Sequence, residues 1–187
     1  MSAPVMLDHD WFPHPLPRNV VIGERSWFYS SFAFVHSRSR RPVQLRVGTD
    51  TGIYNPSFFE LGEQGEVEIG NFCALVGVTI TTNSRVVIGD YAFISHDVIV
   101  ADSVAAVPPG PHRQSDLAGE PASREASPRP EIITIGANSW IGARAVLLGG
   151  AHIGEGAIVG AATVVDFAVP PYSIAAGNPA RVINKSK

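Results

Sequence analysis

The chain has 187 residues, a formal net charge of −3 and one cysteine. This size suits one domain with its own core, and the composition argues against nucleic acid as a partner and against an internal disulfide framework. The N-terminus lacks the basic and apolar regions of a signal peptide, and no apolar run reaches about 18 residues, so we expect a cytoplasmic protein without a membrane partner.

The first 21 residues are the predicted N-terminal cap segment, and a six-residue repeat follows over 22–169. From Ile135 to Val165 a large aliphatic recurs at every sixth position, and the same spacing continues with interruptions toward residue 22. A period of six fits neither a helix of 3.6 residues per turn nor an alternating strand. It fits a coil of three short strands, each directing one large and one small residue inward, as in a parallel β-helix. We therefore predict a single all-β domain of about six triangular coils.

Four of these coils are predicted before residue 103. Cys73 follows Ile69 by four residues, where the pattern places a small inward side chain, so we interpret it as a core filler rather than a catalytic thiol. His96 lies between two inward residues and should face outward. The expected large inward residues are Ile22, Phe28 and Phe34; Val47, Ile53 and Phe59; Ile69, Leu75 and Thr81; and Ile88, Ile94 and Val100.

Residues 103–131 interrupt the repeat with a loop of 29 residues that contains six prolines. Segments of this length without a periodic pattern are usually functional or disordered. We interpret the loop as an arm that reaches a neighbouring subunit or closes a pocket, because its prolines stiffen it. A loosely held insertion is the alternative. The loop contains His112, and Asp102 and Ser103 at its start are turn residues or groups that orient a base or bind an acceptor.

The repeat is most regular in the last two coils. Pro170 and Pro171 are predicted to end it, so that residues 170–187 form a tail that covers one end of the stack. The large inward residues are Ile135, Ile141, Leu147, Ile153, Val159 and Val165, and the small ones are Ser139, Ala145, Ala151, Ala157, Thr163 and Val169.

Two segments carry a family resemblance: Ile135-Gly-Ala-Asn-Ser-Trp-Ile-Gly-Ala-Arg-Ala-Val-Leu-Leu148 and Gly177-Asn-Pro-Ala-Arg-Val-Ile183. They resemble the hexapeptide-repeat acyltransferases, in particular the maltose and galactoside O-acetyltransferases and the xenobiotic acetyltransferases. The resemblance extends over roughly 65–183. It implies a left-handed parallel β-helix, a homotrimer, and acetyl-CoA in the groove between adjacent prisms.

The resemblance also implies site residues. Small residues after the Trp-Ile-Gly step and in the next coil let the pantetheine arm lie along the backbone, and they correspond here to Gly142, Ala143 and Ala161. Arg181 corresponds to the basic position near the nucleotide end of CoA, where arginine suits a phosphate. The family's catalytic histidine, a few residues past the position of Val100, is missing. We therefore take His96 and His112 as the candidate bases; a base of another kind, or none, is the alternative.

The sequence thus predicts an acyl-CoA-dependent acyltransferase that moves acetyl from acetyl-CoA to a hydroxyl or amine of a small polar acceptor such as a sugar. A non-catalytic β-helix that serves as a scaffold or binding module is the alternative. A zinc lyase of the γ-carbonic-anhydrase type is the third reading, but His96, His112 and His152 lack the spacing of such a site, and we expect no metal.

Overall fold

The computed structural model describes residues 5–102 and 132–185. In these residues short strands stack into three sheets, and the helical structure is one 3₁₀ turn, Ser31–Phe34. This described part holds no helix that is long and apolar enough to cross a membrane. The chain winds around a single core as a parallel β-solenoid.

Successive strands pass from sheet to sheet, so that each complete coil adds one strand to each sheet. Sheet I stacks β1 (Val20–Ile22), β3 (Leu45–Val47), β6 (Glu66–Ile69), β9 (Arg85–Ile88), β12 (Ile133–Ile135), β15 (His152–Ile153) and β18 (Ala168–Val169). Sheet II stacks β2 (Trp27–Phe28), β4 (Gly52–Tyr54), β7 (Ala74–Val76), β10 (Phe93–Ile94), β13 (Trp140–Ile141), β16 (Ile158–Val159), β19 (Ser173–Ala176) and β20 (Arg181–Lys185). Sheet III stacks β5 (Phe58–Leu61), β8 (Thr79–Thr82), β11 (Ile99–Ala101), β14 (Val146–Leu148) and β17 (Val164–Val165).

The six-residue pattern is confirmed, because its large residues stack in register through the core. Ile141, for example, lies between Ile94 and Val159 and is fully buried. Burying such a side chain stabilises the fold by roughly 1.5–3 kcal/mol. The all-β fold of about six coils is therefore confirmed, while its left-handedness stays a prediction.

One predicted inward residue is wrong. Thr81 was expected to stack on Phe59, but Ile80 pairs with Phe59 on one side and Val100 on the other. The reason lies at the preceding corner, where the chain turns in one residue fewer. Gly77 occupies that corner with a φ of +62°, a conformation that costs glycine little.

The two ends of the stack are finished differently from the middle. In the first coil the 3₁₀ turn replaces a third strand, and Phe34 on this turn stacks on Phe59 with ring centroids 5.4 Å apart. At the other end the repeat continues beyond Pro170, because β19 pairs in parallel with β16. The predicted departure from the repeat at Pro170 is therefore wrong. Instead β20 turns back antiparallel to β19 and covers the edge of sheet II.

Candidate functional site

The corner between sheets II and III, called the second corner below, brings several predicted site residues into one vertical column. The backbone N–H of Arg144 donates to the His96 carbonyl oxygen at 2.8 Å, and that of Ala162 donates to the Ala143 carbonyl oxygen at 2.9 Å. His96, Ala143 and Ala161 therefore lie on successive coils, about 4.8 Å apart along the stack. The His96 and Ala161 side chains are exposed and Ala143 is half-buried.

Gly142 lies at the same corner, and the close stacking of the coils explains why this residue is a glycine. A Cβ atom on Gly142 would lie 2.6 Å from the backbone nitrogen of Ala161. The fold therefore requires glycine here whether or not a ligand is bound. The consequence for the surface is that Gly142, Ala143 and Ala161 leave the backbone of two neighbouring coils uncovered by large side chains.

Arg181 stands near the lower end of this column. The Gly177 N–H donates to Thr163 Oγ1 at 3.2 Å, and its carbonyl oxygen accepts from Val164 N–H at 3.3 Å, which places Gly177 directly below the corner. The chain then turns back, and Arg181 begins β20 opposite Ala176 with an exposed side chain. The structure therefore brings Arg181 close to the column that Ala143 and Ala161 form.

The histidines considered as site residues do not lie together in the structure. His96 faces outward, as predicted, and its ring makes no hydrogen bond to any residue that the structure describes. His152 is also exposed, as predicted, but it lies on sheet I, where Nδ1 contacts Thr134 Oγ1 at 2.9 Å. His112 lies outside the described residues. Among those residues no three His, Cys, Asp or Glu side chains gather as a metal site.

Cys73 is a core residue, which confirms its interpretation as a filler. It is 3% exposed, and its Sγ donates to the Gly89 carbonyl oxygen at 3.1 Å. Burial raises the pKa of the Cys73 thiol above its ordinary value. A thiol that is both buried and harder to deprotonate is a poor nucleophile.

Asp102 lies at the end of sheet III, where the chain leaves the fourth coil. Its Oδ2 accepts hydrogen bonds from Thr82 Oγ1 at 2.5 Å and from Asn83 N–H at 2.8 Å. Thr82 Oγ1 in turn accepts from Ser84 N–H at 2.9 Å. The other carboxylate oxygen, Oδ1, is buried and has no hydrogen-bond partner in the described part of the chain. The turn and the orienting roles predicted for Asp102 are thus both still open.

The outer face of sheet II next to the second corner is apolar. Phe93 and Trp140 lie side by side, with ring centroids 6.4 Å apart in an edge-to-face arrangement. They are 42% and 53% exposed, and Ile158 continues the same row on the next coil. Large exposed aromatic side chains beside a site often mark a surface that another molecule covers.

The comparison with known families agrees with the stacked repeat. Residues 132–166 match the model of the bacterial transferase hexapeptide, which has six repeats. This stretch of the chain therefore carries the bacterial transferase hexapeptide repeat.

Two proteins that the chain resembles are acetyltransferases by name. The chain is 32% identical over 144 residues to the galactoside O-acetyltransferase of Escherichia coli strain K12, a match that covers 74% of this chain and 63% of the relative. It is 42% identical over 69 residues to a chloramphenicol acetyltransferase of Escherichia coli, which covers 35% of this chain and 33% of the relative. The chain therefore spans less than two thirds of the length of these curated relatives.

Solved structures share the fold. A variant of the N-acyltransferase AntD of Bacillus cereus, in complex with dTDP and coenzyme A, superposes with a TM-score of 0.61 at 22% identity, over 91% of this chain and 83% of that chain. The polySia-specific acetyltransferase NeuO gives a TM-score of 0.56 at 23% identity, over 76% and 62% of the two chains. At these identities the likeness establishes a common architecture.

Proposed function

We propose that this hexapeptide-repeat protein transfers an acetyl group from acetyl-CoA to a hydroxyl or amine of a small polar acceptor such as a sugar. The observation that carries the proposal is the second corner, where an outward histidine, His96, stands above the small residues Ala143 and Ala161 in one column. The names of the relatives, acetyltransferases of galactosides and of chloramphenicol, support the same reaction class.

The corner suits an extended thioester donor. With only small side chains at Gly142, Ala143 and Ala161, the pantetheine arm can lie against the backbone and reach its amides. Arg181 at the lower end offers a planar, permanently charged group for the phosphates of the nucleotide. A backbone amide near the thioester would stabilise the oxyanion that forms when the acceptor attacks.

The acceptor's nucleophile must lose a proton during the transfer. We retain His96 as the histidine candidate for this base, because it stands at the top of the column and its backbone is hydrogen-bonded to the next coil through Arg144 N–H. His112 remains the second candidate. A positioned general base contributes roughly 10²–10⁴ in rate.

We also propose a homotrimer whose adjacent prisms form the groove for acetyl-CoA. The apolar outer face of sheet II supports an association of this kind, because Phe93 and Trp140 are exposed beside the second corner. Burying such aromatic side chains against a second copy would remove a large apolar area from water.

The test of the proposed function is release of CoA thiol from acetyl-CoA in the presence of a panel of sugars and amines. We expect thiol release that depends on an acceptor, and a roughly 10²–10⁴-fold lower turnover in His96→Ala. His152→Ala is the matched control, since His152 is an exposed histidine on another sheet. A wild-type protein that binds acetyl-CoA yet acetylates no acceptor would contradict the proposal and favour the scaffold alternative.

A further inference from the structure

The small inward position that follows the second corner carries a hydroxyl group on the sixth coil. Thr163 is fully buried there, whereas the same position holds Val98 and Ala145 on the two coils above. Apolar side chains are therefore sufficient to fill the core at this position. Because a buried hydroxyl is unfavourable unless it is hydrogen-bonded, the reason for a threonine must lie in its hydrogen-bond partner.

That partner is the backbone of Gly177, directly below the corner. Thr163 Oγ1 accepts a hydrogen bond from Gly177 N–H at 3.2 Å, and the Gly177 carbonyl oxygen accepts one from Val164 N–H at 3.3 Å. Gly177 has a φ of +101°, a conformation that other residues rarely adopt. Both polar backbone groups of Gly177 are thus tied to the coil above, which fixes the point where the chain leaves β19.

The segment that begins at this point carries Arg181. Residues 177–180 join β19 to β20 as a hairpin, and Arg181 is the first residue of β20, opposite Ala176. The Arg181 side chain is exposed, and its guanidinium makes no hydrogen bond or ion pair within the part of the chain that the structure describes. The location of this charge therefore depends on the backbone of the hairpin.

We propose that Thr163 is a positioning residue, which holds the hairpin so that Arg181 faces the phosphates at the nucleotide end of acetyl-CoA. This inference rests on the proposed function and adds a residue that does not itself contact the donor. A guanidinium binds phosphate through hydrogen bonds of defined geometry, so a displaced hairpin weakens the contact.

Replacement of the hydroxyl should displace the hairpin. Thr163→Val keeps the shape of the side chain but leaves Gly177 N–H against a methyl group. An unsatisfied N–H is costly, and because Gly177 is exposed, the hairpin can move outward until this N–H reaches water. Arg181 would move with it.

Kinetics with two acyl donors test the inference: acetyl-CoA, and S-acetylpantetheine, which lacks the nucleotide and its phosphates. We expect Thr163→Val to lower kcat/KM for acetyl-CoA about 10-fold, the effect of one lost hydrogen bond to a charged group, and to leave kcat/KM for S-acetylpantetheine unchanged. The kcat at saturating acetyl-CoA should also stay the same, because Arg181 is remote from the reacting atoms. Thr163→Ser, which retains the hydroxyl, should behave as the wild type.

Ser57→Ala is the matched control. Ser57 is a buried hydroxyl residue at the same inward position on the second coil, where its Oγ accepts from Val78 N–H at 3.3 Å. We expect a loss of Tm similar to that of Thr163→Val, with wild-type kcat/KM for both donors, because Ser57 lies four coils above the hairpin.

A double-mutant cycle with Arg181→Ala shows whether Thr163 acts through Arg181. If it does, Thr163→Val should cause no further loss of kcat/KM for acetyl-CoA in the Arg181→Ala background. Full additivity of the two losses would overturn the inference, and so would equal losses with the two donors, because either result would show a general structural role.

Unchanged acetyl-CoA kinetics in Thr163→Val would show that the hairpin keeps its place without the hydroxyl, and would overturn the inference while leaving the proposed function intact. A wild-type protein that transfers acetyl from neither donor would remove the proposed function itself, and the inference with it.

Discussion

At the scale of single residues, Asp10 fastens the N-terminal segment to the first coil. Its carboxylate accepts hydrogen bonds from Ser30 Oγ at 2.6 Å and from the N–H and Oγ of Ser31 at 2.7 Å each. Burial alone would raise the pKa of Asp10, but the hydrogen bonds from Ser30, Ser31 and Phe12 outweigh it and lower the pKa from 3.8 to about 2. The folded protein therefore favours the ionised form.

The sign of this shift predicts how stability depends on pH. Because the folded pKa lies below the unfolded one, ionised Asp10 stabilises the fold above pH 3.8, and this contribution is lost as the pH falls toward 2. Asp10→Asn should be less stable than the wild type at neutral pH and should lose less stability on acidification. Urea midpoints measured across this pH range test the expectation. Equal slopes for Asp10→Asn and for the control Asp166→Asn, at an exposed aspartate, would contradict it.

The register of sheet III predicts unequal roles for two neighbours in sequence. Ile80 is fully buried between Phe59 and Val100, whereas Thr81 donates from Oγ1 to Glu60 Oε2 at 3.1 Å. We expect Ile80→Ala to lower the free energy of unfolding by about 2–5 kcal/mol and Thr81→Ala by about 1 kcal/mol. Chemical denaturation measures both. The opposite order would restore Thr81 as the core residue.

Single residues also show what the sequence could and could not predict. The inward positions from Ile135 onward follow from their spacing, and Cys73 follows from its place in the pattern. The shortened turn before Ile80 has no such signal, because Gly77 is one of 18 glycines. The hydrogen bonds of Asp102 depend on where Thr82 and Asn83 lie, which only the folded coil determines.

At the scale of elements, the chain turns from sheet I to sheet II through a residue in the left-handed backbone conformation, and this feature recurs from coil to coil. The residue three positions after each inward aliphatic has positive φ even where it is not glycine, as in Phe72 at 55°, Tyr91 at 59° and Asn138 at 55°. Such conformations are uncommon for bulky residues, and the stacked hydrogen bonds of neighbouring coils hold them in place. Sequence preferences would have placed glycine there, so these turns could not be predicted.

Close stacking also requires glycine directly after some inward aliphatics, and a pair of variants tests this. Gly136 follows Ile135 at the corner between sheets I and II, and Gly160 follows Val159 at the second corner. A Cβ atom on Gly136 would lie 2.5 Å from the backbone nitrogen of Glu155, whereas one on Gly160 would meet Ala176 Cβ at 3.3 Å. We expect Gly136→Ala to destabilise by about 1–3 kcal/mol and Gly160→Ala by clearly less. Melting curves compare them directly. Equal losses would mean that close stacking does not explain Gly136.

At the scale of the whole molecule, the repeat determines the three-sided fold of one chain, but it does not determine how chains associate. The sequence predicted the coils because one stacking rule is repeated, but it placed the end of the repeat one strand too early. β19 lacks a large aliphatic at the inward position, since Ala175 stacks there on Val159. A small residue at an inward position gives no periodic signal.

The proposed trimer is tested by multi-angle light scattering at micromolar concentration. We expect the mass of three chains, each of 19.9 kDa. Trp140→Glu should shift the mass toward one chain, because the charge would be desolvated against a neighbour, while Trp11→Glu, at an aromatic residue of the N-terminal segment, serves as the control. A stable wild-type monomer would contradict both the trimer and the shared groove.

The most direct test of the central claim is a calorimetric titration of acetyl-CoA into the wild-type protein and into Ala143→Trp. The account predicts saturable binding to the wild type and its loss in Ala143→Trp, with the melting temperature retained, because the indole would cover the corner that Ala143 and Ala161 leave open. Undiminished affinity in Ala143→Trp, or no binding to the wild type, would show that the second corner is not the acetyl-CoA site.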